Sequence, residues 1–204
     1  MVADPLELLV MIVGLLETLQ IPYLLGGSFA SSIHGATRST RDADIVALIT
    51  LDQGKRFADA LGEEFYADEE AIGRAISANR SFNVIHPTSS FKVDIFVAKP
   101  SPFESSEFER RQKIELRPGL PPVYFASAED TILAKLRWYR LGNEISDRQW
   151  RDLVTVTKVQ RARLDLCYLK HWAVELGVAD LLDRALEAAG ISGQSASVDQ
   201  PRRM

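Results

Sequence analysis

The sequence predicts an α/β (α+β) fold, a mixed sheet flanked by helices and followed by a C-terminal helical region. Three observations carry this reading. Short apolar runs at residues 23–25, 42–49, 82–86 and 91–97 have strand length and alternate with segments of helical period. The run 42–49 is apolar on both faces beyond its two acids, which suits the centre of a covered sheet. From Ser127 onward the period turns helical and stays so.

Taken in order, the first element is a helix: Asp4 can cap it, Pro5 suits its first position and Glu7 stands where a capping-box acid would. It should run to about Gln20 and stop before Pro22. Tyr23–Leu25 then reads as a strand breaking at Gly26-Gly27 into a short helix over 28–34, closed by Gly35. After the strand 42–49, residues 51–61 and 68–79 read as helices. The strands 82–86 and 91–97 form a hairpin candidate through Pro87-Thr-Ser-Ser90. Ser127 can cap a helix whose stripe includes Ile132, Leu133, Leu136 and Tyr139, and further helices fall near 144–158, 165–176 and 178–189. The expected division is an α/β core over 1–120, a helical region over 121–190 packed on it, and a mobile tail over 191–204.

The chain has 204 residues, 46% hydrophobic and 25% charged, so it can bury a core without disulfide or metal staples. Its one cysteine, Cys167, sits in helical, apolar surroundings and reads as core, which points to a reducing, cytoplasmic setting. The apolar run 8–16 lies between Glu7 and Glu17 without a basic leader, and is too short to span a bilayer. No membrane partner is expected. Net charge is −4, which excludes a uniformly basic nucleic-acid binder. Residues 1–108 hold 8 Lys/Arg and 15 Asp/Glu, −7, whereas 109–204 hold 16 and 13, +3.

Three acids need a reason. Asp42 and Asp44, two apart on a strand, project from one face, and like charges there repel unless something positive lies between them. Asp94 stands in another strongly apolar strand, with Lys92 and Phe96 on its own face. If the two strands are neighbours, three carboxylates converge, and oxygen-only clusters of this kind suit Mg²⁺, a pair of which can clamp an in-line phosphoryl displacement. Gly26-Gly27-Ser28, between strand and helix, lets backbone N–H groups approach a phosphate. The bland alternatives are a plain glycine turn and an Asp94 paired structurally with Lys92. His34 reads as a helix C-terminal cap rather than a base. Trp138, Trp150 and Trp172 read as helix packing, and Arg110, Arg111 and Lys113 as a solvated basic face.

These pieces in this order resemble the polymerase-β-like nucleotidyltransferase superfamily. Its signature is a Gly-Ser pair, a short helix, an Asp-x-Asp strand and a third acid on a later strand. Here Gly27-Ser28 precedes Asp42-Ala43-Asp44 by the 13 residues 29–41, and Asp94 fills the third place. The stretch YLLGGSFASSIHGATRSTRDADIV is similar to the minimal branch with the AbiEii-type toxins, in which R-x-T-x-D-x-D is typical, matched by Arg38, Thr40, Asp42 and Asp44. Glu129-Asp130, then Lys135, then Asp152-Leu153 extend the resemblance, which covers about residues 20–155.

The resemblance implies a nucleotidyltransferase-type mixed sheet and transfer of an NMP from an NTP to an acceptor hydroxyl, with release of pyrophosphate. Asp42, Asp44 and Asp94 would hold Mg²⁺, two ions or Mn²⁺ in their place, and Asp94 would take the hydroxyl's proton. Gly26, Gly27, Ser28, Arg38, Thr40, Lys135 and Asp152 would serve the nucleotide. Lys135 is equally placed as a snorkelling surface lysine, and Asp152 to pair with Arg148 at i, i+4 spacing. The expected acceptor is an RNA or tRNA end, with an antibiotic-type small molecule or a protein side chain as alternatives. A non-catalytic nucleotide- or partner-binding module, with a cognate antitoxin as its partner, is the rival outside enzymology.

Overall fold

The computed structural model describes residues 4–36 and 42–191. Helix α1 (Pro5–Thr18) starts on Asp4, whose carboxylate accepts from the Leu6 N–H at 2.9 Å, with Pro5 at its first position. It ends two residues before the expected stop, because Gln20 turns to a positive φ of 55° ahead of Pro22. Strand β1 (Tyr23–Leu25) and helix α2 (Gly27–Ile33) follow, then strand β2 (Asp42–Ala47). Thr50 and Gln53 form a capping box at α3 (Leu51–Ala60), and Asp68 caps α4 (Glu69–Ala78). Strands β3 (Ser81–His86) and β4 (Phe91–Val97) make the expected hairpin.

Three elements stand where the sequence suggested none: α5 (Pro102–Arg110), β5 (Gln112–Ile114) and β6 (Val123–Phe125). The helical region is α6 (Ala128–Leu141), α7 (Asp147–Gln160), α8 (Leu166–Glu175) and α9 (Ala179–Ala188), with Ser127, Ser146 and Asp165 capping the first three.

The six strands lie in the order β3-β4-β2-β1-β6-β5. β2 runs parallel to β4 and antiparallel to β1, and β1 runs parallel to β6. Period 2 then sorts the side chains. On one face Tyr23, Leu25, Ala43, Ile45, Ala47, Val93, Ile95 and Phe125 pack with Leu9, Ile12 and Leu16 of α1, Phe57 of α3 and Ile72 of α4 into the main core. On the other, Leu24, Val46 and Leu48 meet Phe108 of α5, while the acid-bearing end of β2 stays less covered. The expectation that both faces of β2 are covered therefore holds only for its second half.

A second core joins the helices of the last third through Ile132, Leu133, Leu136, Leu153, Leu169 and Leu182, and takes in Phe103 of α5. Two expectations fail here. Cys167 is exposed: the buried side of α8 carries Leu169 and Ala173, and a residue two before Leu169 points the opposite way. Arg110 and Arg111 do not make a solvated face; Arg110 pairs with Glu129 at 3.0 Å and lies over the Tyr168 ring, and Arg111 stacks on Tyr124. Among the described residues no helix is long and apolar enough to cross a membrane. The tail call from residue 192 onward lies outside the described residues.

Candidate active site

The site begins where β1 stops. Gly26 N–H donates to the main-chain oxygen of Asp44 at 2.9 Å, extending the β1–β2 ladder by one step. Gly27 then takes a φ of +52°, and a Cβ there would stand 1.8 Å from Asp44 Oδ2 and 2.6 Å from its Cγ. Glycine is needed twice over, for the left-handed backbone and for the space the carboxylate fills. The Ser28 backbone N–H lies near enough to the Asp44 carboxylate to favour its charged form. The glycine turn is thus more than a plain turn: it fixes one carboxylate in place.

Parallel pairing of β2 with β4 brings the third acid in. Asp44 is the register partner of Asp94, and Asp42 that of Lys92. All four lie on the same, less covered face, with Asp42 exposed and Asp44 and Asp94 half-buried. Lys92 Nζ stands 2.7 Å from Asp94 Oδ2. Asn83 of β3 continues the row, opposite Asp94.

Electrostatics confirms the crowding. Burial holds the Asp44 carboxyl above the ordinary range, the neighbouring charge of Asp94 adds to this, and that of Asp42 adds less. The Ser28 N–H and the Lys92 ammonium oppose the rise. Lys92 is pushed upward, chiefly by its bond to Asp94 and further by the charges of Asp94, Asp42 and Asp44.

The donors are all oxygens on one sheet face, the chemistry that Mg²⁺ or Mn²⁺ takes. Among the described residues no three carboxylates or other ligand side chains are already drawn together to metal-binding distance. Asp94 is instead turned to Lys92. The residue set fits a divalent cation, with Lys92 standing in the third carboxylate's shell.

The remaining candidates fall into two groups. Arg38 and Thr40 lie outside the described residues. Lys135 of α6 and Asp152 of α7 meet each other, Nζ to Oδ2 at 3.7 Å, both largely buried. Helix α6 reaches the acidic face: Trp138, one turn after Lys135, meets Phe96 at 5.7 Å between ring centroids, and Phe96 is two residues past Asp94 on the same face. Trp138 therefore packs on the sheet, and remains 53% exposed. Trp150 and Trp172 pack as expected, on Tyr139 and Phe103. His34 is a buried cap residue whose Nε2 donates to the Ala126 carbonyl at 2.8 Å. It fastens α2 to the strand–helix junction ahead of α6. Sequence reasoning passed over Asn83, whose place depends on a register that only the pairing reveals.

No protein-family model and no curated protein matches the sequence. Solved structures do match in fold. An antigenic nucleotidyltransferase-like protein from Paracoccidioides brasiliensis superposes with a TM-score of 0.53 at 14% identity, over 91% of this chain and 93% of that one. The antibiotic-resistance factor ANT(2'')-Ia does so with a TM-score of 0.53 at 15% identity, over 92% and 96%. A second structure of ANT(2'')-Ia, in complex with adenylyl-2''-tobramycin, gives 0.51 at 15%, over 87% and 97%. The fold is that of nucleotidyltransferases, present at nearly full length in both directions.

Proposed function

We propose that this chain transfers a nucleoside monophosphate from an NTP to an acceptor hydroxyl. The observation that carries the reading is the register of β2 on β4. It sets Asp44 beside Asp94, with Asp42 on the same face, while the missing side chain at Gly27 leaves the space that the Asp44 carboxylate fills. Such a constellation on a nucleotidyltransferase fold suits phosphoryl chemistry better than structural packing, since half-buried like charges carry a cost the fold could avoid.

Asp42 and Asp44 would hold the divalent cation, with Asp94 as a further ligand; bound there, it would neutralise phosphate charge and polarise the α-phosphoryl group. The acceptor oxygen attacks the α-phosphorus, the bond from that phosphorus to the bridging oxygen breaks, and pyrophosphate leaves. Asp94, on the β3 side of Asp44, takes the hydroxyl's proton. Lys135 neutralises phosphate charge from α6, and Asp152 orients its ammonium through their ion pair. The glycine turn serves first to position Asp44, and Ser28 Oγ faces the triphosphate.

A small hydroxylated acceptor is favoured over an RNA end. Arg110 and Arg111, the densest cations at the start of the basic half, are committed to Glu129, Tyr168 and Tyr124, while RNA binding draws on concentrated cationic patches. The full-length neighbour ANT(2'')-Ia is also described with an adenylylated small molecule. The toxin-like branch, an RNA acceptor and an antitoxin partner belong to the same test as its other arms. The four labelled NTPs are offered with Mg²⁺ to a panel of aminoglycosides and polyols, to total RNA and to protein extract. Label should move to a small hydroxylated compound, and the Asp42→Asn/Asp44→Asn double variant should move none. Activity retained in that variant would overturn the mechanism.

A further inference from the structure

We infer that Lys92 is an internal cation occupying the place of one of two metal ions. On this inference the resting chain binds one divalent cation, and admits a second only when Lys92 leaves Asp94. The inference rests on the proposed metal-dependent transfer and deepens it.

The geometry confines Lys92 to the site. It is two residues before Asp94 on the same face of β4, and it is the register partner of Asp42 across the strand boundary. Its ammonium lies 2.7 Å from Asp94 Oδ2, the separation of a charge-assisted hydrogen bond. An ammonium so close to a carboxylate oxygen fills that oxygen's coordination space. Asp44 is in a different position, since its carboxylate fills the space a side chain at Gly27 would take and Lys92 does not reach it as a direct ion pair. The cluster is therefore divided, with one end organised by backbone and the other capped by a side chain.

Lys92 can move: its side chain is 35% exposed, and four flexible carbons connect it to the strand. Release of Lys92 would also free Asp94 to accept the acceptor's proton, so the exchange and the chemistry use one motion. A purely structural Lys92 would stabilise Asp94 without altering how many cations the site takes.

The test is an Mn²⁺ titration of the full chain without nucleotide, followed by electron paramagnetic resonance, for wild type, Lys92→Met, Lys92→Gln and Lys92→Arg. The expected result is one bound ion in wild type and in Lys92→Arg. Lys92→Met and Lys92→Gln should take up a second ion, or tighten it roughly tenfold or more. That pair should show the exchange-coupled signal of ions about 3.5–4 Å apart. Having two neutral variants guards against one that fails to fold. Equal stoichiometry and affinity in wild type and the neutral variants would overturn the inference while leaving the transferase reading intact, as would two ions in wild type. No Mn²⁺ bound by any of the four proteins would overturn both.

Discussion

Two clusters in this molecule each contain three carboxyl groups and a cation, and they have opposite designs. One is the cleft row of Asp42, Asp44 and Asp94 with Lys92. The other is a buried knot between α5, α6 and α8, made by Glu107, Glu129 and Asp130 with Arg110. In the knot the protein satisfies its own acids. Asp130, fully buried, accepts from Ser127 Oγ at 2.6 Å and from Tyr168 OH at 2.6 Å. Glu129 accepts from the Asp165 N–H and pairs with Arg110, whose guanidinium lies 4.0 Å above the Tyr168 ring. In the cleft Asp42 is exposed, Asp44 is half-buried against Gly27, and Lys92 covers Asp94. Three acids together do not make a site. The cluster proposed as the site is the one on the open sheet face, where an external cation can reach the carboxylates.

The widest separation between the clusters should come from Asp44→Asn. Removing the best-positioned ligand should lower NMP transfer by roughly 10³-fold or more, the several kcal/mol that a metal supplies to charge stabilisation. Stability should move the other way. Burial and Asp94 raise the Asp44 pKa, so the wild-type carboxyl loses stability as pH climbs from the ordinary carboxylate range to the raised value. The neutral variant escapes that loss and should melt no lower than wild type at pH 7. A variant that unfolds would show that Asp44 belongs to the structural class.

Gly27→Ala sharpens the same contrast from the backbone side. Its methyl group would overlap Oδ2, Cγ and Cβ of Asp44, and the residue would be left at a φ of +52°. The expected outcome is a loss of about 2 kcal/mol in denaturant unfolding, together with weakened Mn²⁺ binding as Asp44 is driven from its place. Unchanged metal affinity would mean that the turn does not position the carboxylate.

Much of the cleft was legible in the sequence, because period 2 alone places Asp42 and Asp44 on one face and a Gly-Gly pair between strand and helix marks the turn. The meeting of Asp44 with Asp94 was not. It depends on β2 pairing in parallel with β4, a strand reached only after two helices and β3, and register between distant strands leaves no local trace. The knot was hidden for a different reason. Ser101, Pro102 and Glu104 give α5 a sound start signal, yet its buried face is Phe103, Glu107 and Phe108, so a carboxyl group interrupts the apolar stripe by which a helix is read. β5 and β6, three residues each beside a proline-rich turn, are too short to show a period.

Tyr168→Phe tests the knot alone. The hydroxyl donates to Asp130 and lies 3.1 Å from Ser106 Oγ, and its loss leaves a buried carboxyl short of one partner. Unfolding stability should fall by about 1–3 kcal/mol, with kcat and KM unchanged at temperatures well below the transition. A change in KM for NTP at constant fold would connect the knot to the cleft and undo the distinction.

The last comparison concerns Glu107, and it separates the clusters by what neutralises them. Burial raises its carboxyl to about 8, with repulsion from Asp130 and Glu104 adding to the rise and Arg137 opposing it. The folded chain therefore holds this proton up to a higher pH than the unfolded chain, in which the group titrates near 4.5. Its contribution to stability is complete below about 4.5 and is lost as pH rises through about 8. Glu107→Gln keeps the shape of the protonated form and removes the titration. The variant should match wild type near pH 5 and exceed it progressively toward pH 8 in unfolding free energy and in Tm. Asp44 and Asp130 titrate in both proteins, so the difference curve reports Glu107, together with the relief its neutralisation gives Asp130. A difference independent of pH would show that Glu107 is ionised in the fold. The knot thus tolerates its third acid by keeping a proton, and pH should act on it where chelation should act on the metal site proposed for the cleft.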